Sequence, residues 1–239
     1  LSALILAERL LTQKVYDDAI VTGADVLSRF VISGFQSFKS MDANPCRPYD
    51  IERLGMNLGE AAATMILSSD EAAKYKKEWG LVEGTIRNDA HHISTPSNKG
   101  EGAYRAMMPL LQQINKEELA LVNAHGTATM FMDQMEAVAL DRAELTDIPV
   151  NSYKGIFGHT LGAAGILETI LTMHALEDHT ILGTRGFEEL GVSVPIQVSA
   201  EARHTDKRTF LKLISGFGGS NAALLVTADE QIQKQLPKS

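Results

Sequence analysis

Short apolar runs alternate with longer segments of helical periodicity between residues 80 and 178, and this alternation limits the possible folds more than any other feature. The strand-like runs are 80–89, 119–124 and 149–152, and the helical segments after them are 102–114, 132–145 and 166–178. Strands and helices in this order form crossover units on a mostly parallel sheet with helices on both faces. Further runs at 194–199, 209–215 and 222–228 predict closing strands, the last two joined by a glycine turn in "GFGGSN". The sequence therefore predicts an α/β fold.

The first 80 residues follow another pattern. Apolar residues from Leu1 to Leu11 recur at helical spacing, and "DDAIVTGAD" predicts a short buried strand that ends at Gly23. Residues 40–60 are rich in turn formers and charge, which indicates a long ordered loop before a strand at 61–69. The segment 71–80, "EAAKYKKEWG", predicts a short solvated helix and linker. Because the amphipathic pattern is already present at Leu1, the sequence looks like one that enters a helix part-way.

The composition narrows the classes of partner. With 239 residues, 44% of them hydrophobic, the chain can bury a sizeable core. Its formal net charge of -8 argues against nucleic acid as a partner, because binding phosphates needs a surplus of lysine and arginine. No apolar run approaches the roughly 18 residues of a membrane span, so we expect no membrane partner. Cys46 is the only cysteine and cannot form an intramolecular disulfide, which favours a reducing, cytoplasmic location.

Two histidine stretches follow predicted strands. His125 comes directly after the strand "LALVNA", and "PVNSYKGIFGH" brings Lys154 and His159 to the entrance of a helix beginning near Leu161. The carboxyl ends of parallel strands are where open α/β sheets place their sites. A helix N-terminus lowers the pKa of a histidine and keeps it a neutral donor, so two such rings can hold one developing oxyanion. His125 alone could equally be a loop histidine with satisfied hydrogen bonds, and Lys154 alone a solvated surface lysine.

The glycines near these residues are weak evidence for a nucleotide. Their spacing does not follow G-x-x-x-x-G-K-[ST], and "GFGGSN" lies between strands rather than at the start of a helix. We expect Gly158, Gly162 and Gly165 to allow close backbone approach instead.

Three motifs together carry a resemblance to a known family. "NAHGTAT" with Asp133 and Glu136, then "K....GHTLGAAG" with Glu168, then "SGFGGSNAALLV" occur in this order, and "RPYDIERLGMNLGEAA" precedes them. The sequence resembles the elongating β-ketoacyl-acyl-carrier-protein synthases of the thiolase-like superfamily. The resemblance implies a thiolase-like layered fold, a mixed sheet flanked by helices. It divides the chain into residues 1–70, the end of an N-terminal half with a long loop, and residues 71–239, a complete C-terminal half.

The resemblance also implies a reaction, a decarboxylative Claisen condensation between a malonyl thioester and an enzyme-bound acyl chain. His125 and His159 would hydrogen-bond the thioester oxygen as enolate charge develops, and Lys154 would anchor and tune the pair. Glu136 and Glu168 would orient these donors. Phe217 would gate the site and contribute its backbone N–H to an oxyanion hole.

Further expectations concern substrates and partners. Thr127 and Thr129 would contact the pantetheine arm. No metal and no cofactor are expected beyond the phosphopantetheine of an acyl carrier protein. The expected partners are that carrier, acyl and malonyl thioesters, and a second synthase subunit in a homodimer or heterodimer. We also expect Asp133 to cap the helix that follows it.

The nucleophile is expected outside the printed sequence. The resemblance places the family's cysteine just upstream of Leu1, so the chain would be inactive alone and would expose apolar surface that another polypeptide covers. Cys46 is interpreted as a structural thiol. Lys212 lies near a position that in some relatives helps to bind a monovalent cation, and its ammonium could replace that ion. Met130, Phe131, Met132 and Ser215 depart from the family pattern and leave acyl length and type open.

Two other functions remain compatible with the sequence. One is a thiolase-like enzyme that acts on coenzyme A thioesters, against which the lysine and histidine of "K....GH" weigh. The other is a non-catalytic partner subunit resembling a chain-length factor, which the presence of His125, His159 and Lys154 disfavours.

Overall fold

The computed structural model describes residues 1–69 and 79–229. The helices are α1 (Ser2–Thr12), α2 (Arg29–Ser37), α3 (Glu101–Leu111), α4 (Met130–Arg142), α5 (Lys154–Phe157) and α6 (Ala164–Glu177). The strands are β1 (Asp18–Asp25), β2 (Ala61–Ser68), β3 (Gly80–Asn88), β4 (Leu119–Asn123), β5 (Pro149–Asn151), β6 (Thr180–Ile181), β7 (Gln197–Val198), β8 (Arg203–His204), β9 (Thr209–Gly216) and β10 (Ser220–Thr227).

A six-stranded mixed sheet in the order β3-β10-β9-β4-β5-β7 forms the centre of the fold. β4 runs parallel to β5 and β9, and β5 runs parallel to β7, whereas β10 is antiparallel to both β3 and β9. The predicted alternation of strands and helices is confirmed from β3 to α6. The run at 194–199 forms a strand at Gln197–Val198 only, which makes that prediction too long.

Both faces of the six-stranded sheet are covered. On β10, Ala223 and Leu225 join one core cluster with residues of α3 and α4, while Ala222, Leu224 and Val226 join a second cluster with residues of α1 and α6. Successive residues of a strand point to opposite faces, so one continuous apolar run supplies both clusters. This burial explains why the strand sequences are almost wholly apolar.

The strands before residue 80 form a separate, two-stranded antiparallel sheet. β1 pairs with β2 from Asp18 opposite Ser68 to Asp25 opposite Ala61. The prediction of a buried strand ending at Gly23 is therefore wrong in its end and in its burial. Only one face is covered: Val21 is buried, whereas Ile20 is 73% exposed and lies directly opposite Ile66, which is 70% exposed.

The sequence did not lead us to predict helix α2. None of its residues is fully buried, although Val31, Ile32 and Phe35 are half-buried, and Ser28 caps the helix by accepting a hydrogen bond from Val31 N at 3.2 Å. The predicted loop at 40–60 contains neither helix nor extended strand. The solvated helix predicted at 71–80 lies almost entirely outside the described residues. The domain boundary near residue 70 stays a prediction. Within the described ranges, no helix is long and apolar enough to cross a bilayer.

Candidate active site

Three parallel strands of the central sheet end at one edge. Asn123 of β4 lies opposite Asn151 of β5 and opposite Lys212 of β9 in the strand register. His125 follows Asn123 by two residues and Lys154 follows Asn151 by three, so both leave the sheet at the same edge. Continuing β9 beyond Lys212 in the same direction leads to Phe217.

The two histidine rings meet at this edge. The ring centroids of His125 and His159 are 5.2 Å apart, and the ring planes cross at 80°. Residues 57–59 hold the backbone of His159, because its N–H donates to Asn57 O at 2.7 Å and its carbonyl accepts from Gly59 N at 3.0 Å. A Cβ added to Gly59 would lie 1.9 Å from Phe157 O, so this close approach requires glycine.

One hydrogen bond fixes the tautomer of His159. Its Nδ1 accepts from the backbone N of Leu161 at 3.2 Å, which leaves the proton of the neutral ring on Nε2. Burial, followed by the positive charge of Lys154, lowers the pKa of His159 to about 3. At neutral pH the ring is therefore an uncharged N–H donor.

The side chain of His125 is more completely buried than that of His159. Burial, followed by the charge of Lys154, lowers its pKa well below the ordinary value. Its buried Nδ1 has no hydrogen-bond partner among residues 1–69 and 79–229. A polar atom buried without a partner at a sheet edge is typical of a site that awaits a ligand.

A buried charge cluster lies behind the rings. Nζ of Lys154 lies 2.9 Å from Oε1 of Glu168, and Nζ of Lys212 contacts Oε2 of the same carboxylate. Burial would raise the pKa of Glu168, but the two ammonium groups outweigh it and lower the pKa to about 2. Lys212 also lies 3.5 Å from Asn123 O and 3.4 Å from Ala124 O, and burial lowers its pKa to about 8. With both lysines and the glutamate charged, the cluster carries one net positive charge beside two neutral imidazoles.

Two carboxylates of α4 hold the loop that carries His125. Oε1 of Glu136 accepts from His125 N at 2.7 Å and its Oε2 from Gly126 N at 2.8 Å. Oδ1 of Asp133 accepts from Thr127 N at 2.8 Å and from Ala128 N at 3.1 Å. We call these two side chains the carboxylate cradle.

The position of Asp133 corrects one prediction. The residue lies inside α4 rather than at its N-cap, which is Thr129, and its side chain bonds the preceding loop instead of capping the helix. Burial and the neighbouring Glu136 raise the pKa of Asp133 to about 7.

The two threonines predicted to contact the pantetheine arm lie next to each other. Their hydroxyl oxygens are 3.0 Å apart, with Thr127 buried and Thr129 half-buried at the start of α4. Together they place two hydroxyl groups beside the loop of His125.

Phe217 packs against two aromatic residues that the sequence did not single out. Its ring centroid lies 5.4 Å from that of Phe35 in α2 and 5.0 Å from that of Phe38, which follows α2. On the other side, Gly218 N donates to Ile93 O at 2.7 Å and Gly218 O accepts from Asn88 Nδ2 at 2.7 Å. Phe217 is 47% exposed.

The remaining candidates do not suit a catalytic role, although the Sγ of Cys46 donates to Thr127 O at 3.8 Å in the site loop. Cys46 is buried, and burial raises the pKa of its thiol to about 12, which does not suit a nucleophile. The other histidines are all exposed: His91, His92, His174, His179 and His204. In the parts of the chain that the structure describes, no group of three or more His, Cys, Asp or Glu side chains is arranged to hold a metal ion.

Sequence reasoning also missed Tyr49. Tyr49 is fully buried, and its hydroxyl donates to Oε2 of Glu136 at 2.6 Å. Its partner lies 87 residues further along the chain. Only its place inside the "RPYD" motif marks it in the sequence.

Solved structures with the same chain path are ketosynthases. A β-ketoacyl synthase from Burkholderia phymatum STM815 matches with a TM-score of 0.90 and 28% identity, over 95% of this chain and 58% of that one. A complex of a ketosynthase with its chain length factor from Xenorhabdus doucetiae matches with a TM-score of 0.86 and 31% identity, over 95% and 57%. The protein is thus of the thiolase-like class, a mixed sheet flanked by helices.

Sequence comparisons narrow this class. Residues 80–188 match the family model described as "Beta-ketoacyl synthase, C-terminal domain". A 3-oxoacyl-[acyl-carrier-protein] synthase 2 from Rhizobium meliloti is 34% identical over 87% of this chain and 54% of its own length. The enzyme of the same name from Mycobacterium leprae is 33% identical over 87% and 53%. The chain therefore carries a β-ketoacyl synthase C-terminal domain and spans about half the length of these relatives.

Proposed function

We propose that the chain supplies the decarboxylation and condensation site of a 3-oxoacyl-[acyl-carrier-protein] synthase. The observation that carries this proposal is the pair of buried, neutral imidazoles 5.2 Å apart at the carboxyl edge of the sheet. Preorganised neutral donors stabilise an oxyanion that forms during the reaction, which is the main requirement of this chemistry.

The proposed reaction has two steps. A malonyl thioester loses carbon dioxide, and the electron pair of the broken C–C bond becomes an enolate whose oxygen accepts hydrogen bonds from His125 and His159. The carbanion then attacks the carbonyl of an acyl thioester, a C–C bond forms, and the cysteine sulfur leaves as a thiolate. The products are a 3-oxoacyl thioester and carbon dioxide.

The roles of the other residues follow from their positions. Lys154 keeps positive charge beside the rings and so disfavours their protonation, while Glu168 holds its ammonium in place. Glu136 orients His125 through the backbone. Thr127 and Thr129 offer hydroxyls to the amides of the pantetheine arm. Phe217 gates the acyl site and lends its backbone N–H to the acyl oxyanion.

The acyl-accepting cysteine is proposed to come from sequence that precedes Leu1 in a longer protein. The backbone N of Leu1 lies so close to Gly165 that a Cβ there would be 2.6 Å from it. A residue just upstream would therefore stand beside the start of α6, near His159. The proposed partners are an acyl carrier protein and a second synthase subunit, and a cytoplasmic location stays a prediction.

The test uses the complete protein that carries this sequence and separates loading from condensation. His159→Gln should lower the rate of malonyl decarboxylation and condensation by about 10²- to 10³-fold, because one oxyanion donor is lost. Acyl loading, which does not use this donor, should persist. His174→Gln makes the same change at an exposed histidine of α6 and should leave both rates unchanged. Condensation at the normal rate in His159→Gln would refute the proposal.

A second candidate is a non-catalytic partner subunit, because one structural relative was solved as a ketosynthase with its chain length factor. In that case the complete protein would neither load an acyl group nor decarboxylate malonyl thioester alone. It would instead change the product length of an active synthase mixed with it.

A further inference from the structure

Tyr49 joins both side chains of the carboxylate cradle, and the proposed reaction gives it no role. Its hydroxyl donates to Oε2 of Glu136 at 2.6 Å, and its backbone N donates to Oδ2 of Asp133 at 2.7 Å. The residue is fully buried. One residue of the 40–60 loop thus contacts both acids that hold the loop after β4.

The cradle leaves the chain around His125 little freedom. The N–H groups of four successive residues, 125 to 128, all donate to these two carboxylates. Because the His125 ring is attached to the first of these residues, the position of the carboxylates determines the position of the ring.

The hydroxyl of Tyr49 completes the hydrogen bonding of Glu136. A buried carboxylate needs several donors to stay in place. Glu136 has three in the structure, namely His125 N, Gly126 N and the Tyr49 hydroxyl. The first two move with the loop, whereas Tyr49 belongs to a different segment. The tyrosine is therefore the donor that ties Glu136 to the rest of the fold.

Tyr49 itself is held firmly. Its φ of +63° is unusual for a residue with a bulky side chain, and such a conformation persists only where the surroundings determine it. Its carbonyl accepts from Gly191 N at 2.8 Å. Its ring lies against Gly126, where an added Cβ would be 2.9 Å from Tyr49 Cε2.

We propose that Tyr49 is a positioning residue that fixes the His125 ring by bonding both carboxylates of the cradle. The catalytic meaning of this role rests on the proposed function. The positioning itself can be measured without any activity.

The first measurement is hydrogen exchange on the complete protein. Tyr49→Phe keeps the ring and the backbone bond to Asp133 but removes the hydroxyl, so exchange at residues 125–128 should speed up about tenfold, the effect of losing roughly one buried hydrogen bond. Amides of β9 and β10 should keep their rates, because the change is local. Tyr153→Phe removes the hydroxyl of another buried tyrosine, which bonds Thr172 in α6, and should leave residues 125–128 unchanged.

A double-mutant cycle tests the route through Glu136. If Tyr49 acts through this carboxylate, Glu136→Ala together with Tyr49→Phe should exchange no faster at residues 125–128 than Glu136→Ala alone. Independent, multiplying effects would overturn the proposal, as would unchanged exchange in Tyr49→Phe. Faster exchange throughout the protein would also overturn it, because that result indicates general destabilisation.

Kinetics then separate this proposal from the proposed function. Tyr49→Phe should lower kcat for condensation by more than it raises KM, because the His125 ring is misplaced for the reaction while Thr127 stays bonded to Asp133, whose contact with the Tyr49 backbone is kept. If the wild-type protein does not condense, the proposed function fails, and the exchange data alone still decide whether Tyr49 positions His125.

Discussion

A backbone hydrogen bond decides which nitrogen of His159 can donate. The N–H of Leu161 occupies Nδ1, so the neutral ring presents Nε2–H. Neutrality in turn depends on burial and on two nearby cations, Lys154 and Lys212. Since Lys212 touches Glu168 rather than a ring, its influence on the histidines is electrostatic.

Replacing Lys212 by methionine should raise the pKa of His159. The loss of a buried positive charge makes protonation of the ring less unfavourable, so the pKa moves from about 3 toward the ordinary value. An NMR titration of the ring resonances measures this shift.

Lys116→Met is the matched control for this titration. Lys116 pairs with Glu144 at the surface and precedes β4, whereas His125 follows the strand, about 16 Å further along. Its removal should leave both rings unchanged. A His159 pKa that stays the same in Lys212→Met would show that the buried ammonium does not influence the site.

At the scale of elements, α2 is tied to the Phe217 loop by aromatic contacts. Phe35 and Phe38 each place a ring within 5.4 Å of Phe217, although no residue of the helix is buried. A weakly packed helix can shift easily. We therefore infer that these contacts set how often the loop opens.

Phe38→Ala should increase hydrogen exchange in residues 216–219. An aromatic pair contributes about 0.5–1.5 kcal/mol beyond its buried area, which corresponds to an increase of about two- to tenfold. Phe30→Ala is the control, because Phe30 belongs to α2, the helix that Phe38 follows, but is 88% exposed. Equal effects of the two substitutions would mean that the helix as a whole, rather than the ring contact, restrains the loop.

At the scale of the whole molecule, the buried titratable groups of the site make the free energy of unfolding depend on pH. On unfolding at moderately acidic pH, His125 and His159 each take up a proton that the folded chain excludes, because their pKa values are lowered by burial. Asp133 has the opposite sign, since its pKa of about 7 means that the folded chain binds a proton that the unfolded chain releases. Summed over these three groups, unfolding takes up one proton.

The free energy of unfolding should therefore fall as the pH is lowered from about 6 to about 4, with a slope of roughly 1.4 kcal/mol per pH unit from these groups. Urea denaturation at several pH values measures it. His159→Gln removes one titrating ring, so the slope should nearly vanish. An unchanged slope in this variant would contradict the assignment of a neutral buried ring.

The sequence predicted β4 and β10 because strands buried on both faces carry a continuous apolar run, and that signal is strong. The meeting of His125 and His159 followed from the strand order. Lys212 offered a further prediction. It stands inside the apolar run "TFLKLIS", and a lysine in a buried strand needs a buried partner of opposite charge. Tyr49 and Phe38 gave no such signal, since their roles depend on contacts with residues far away in the chain. β1 was misjudged because only one of its faces is covered.

The turn after Phe217 is bonded on both sides of Gly218: its carbonyl accepts from Asn88 at the end of β3, and its amide donates to Ile93 in the segment after β3. Because Gly218 is bonded on both sides, the hinge of the proposed gate has to lie before it in the chain. Any swing of the aromatic ring has to arise from torsions at Gly216 and Phe217 while the trailing glycines stay anchored. For the gate proposed at Phe217, these contacts favour rotation about one fixed end over displacement of the whole loop.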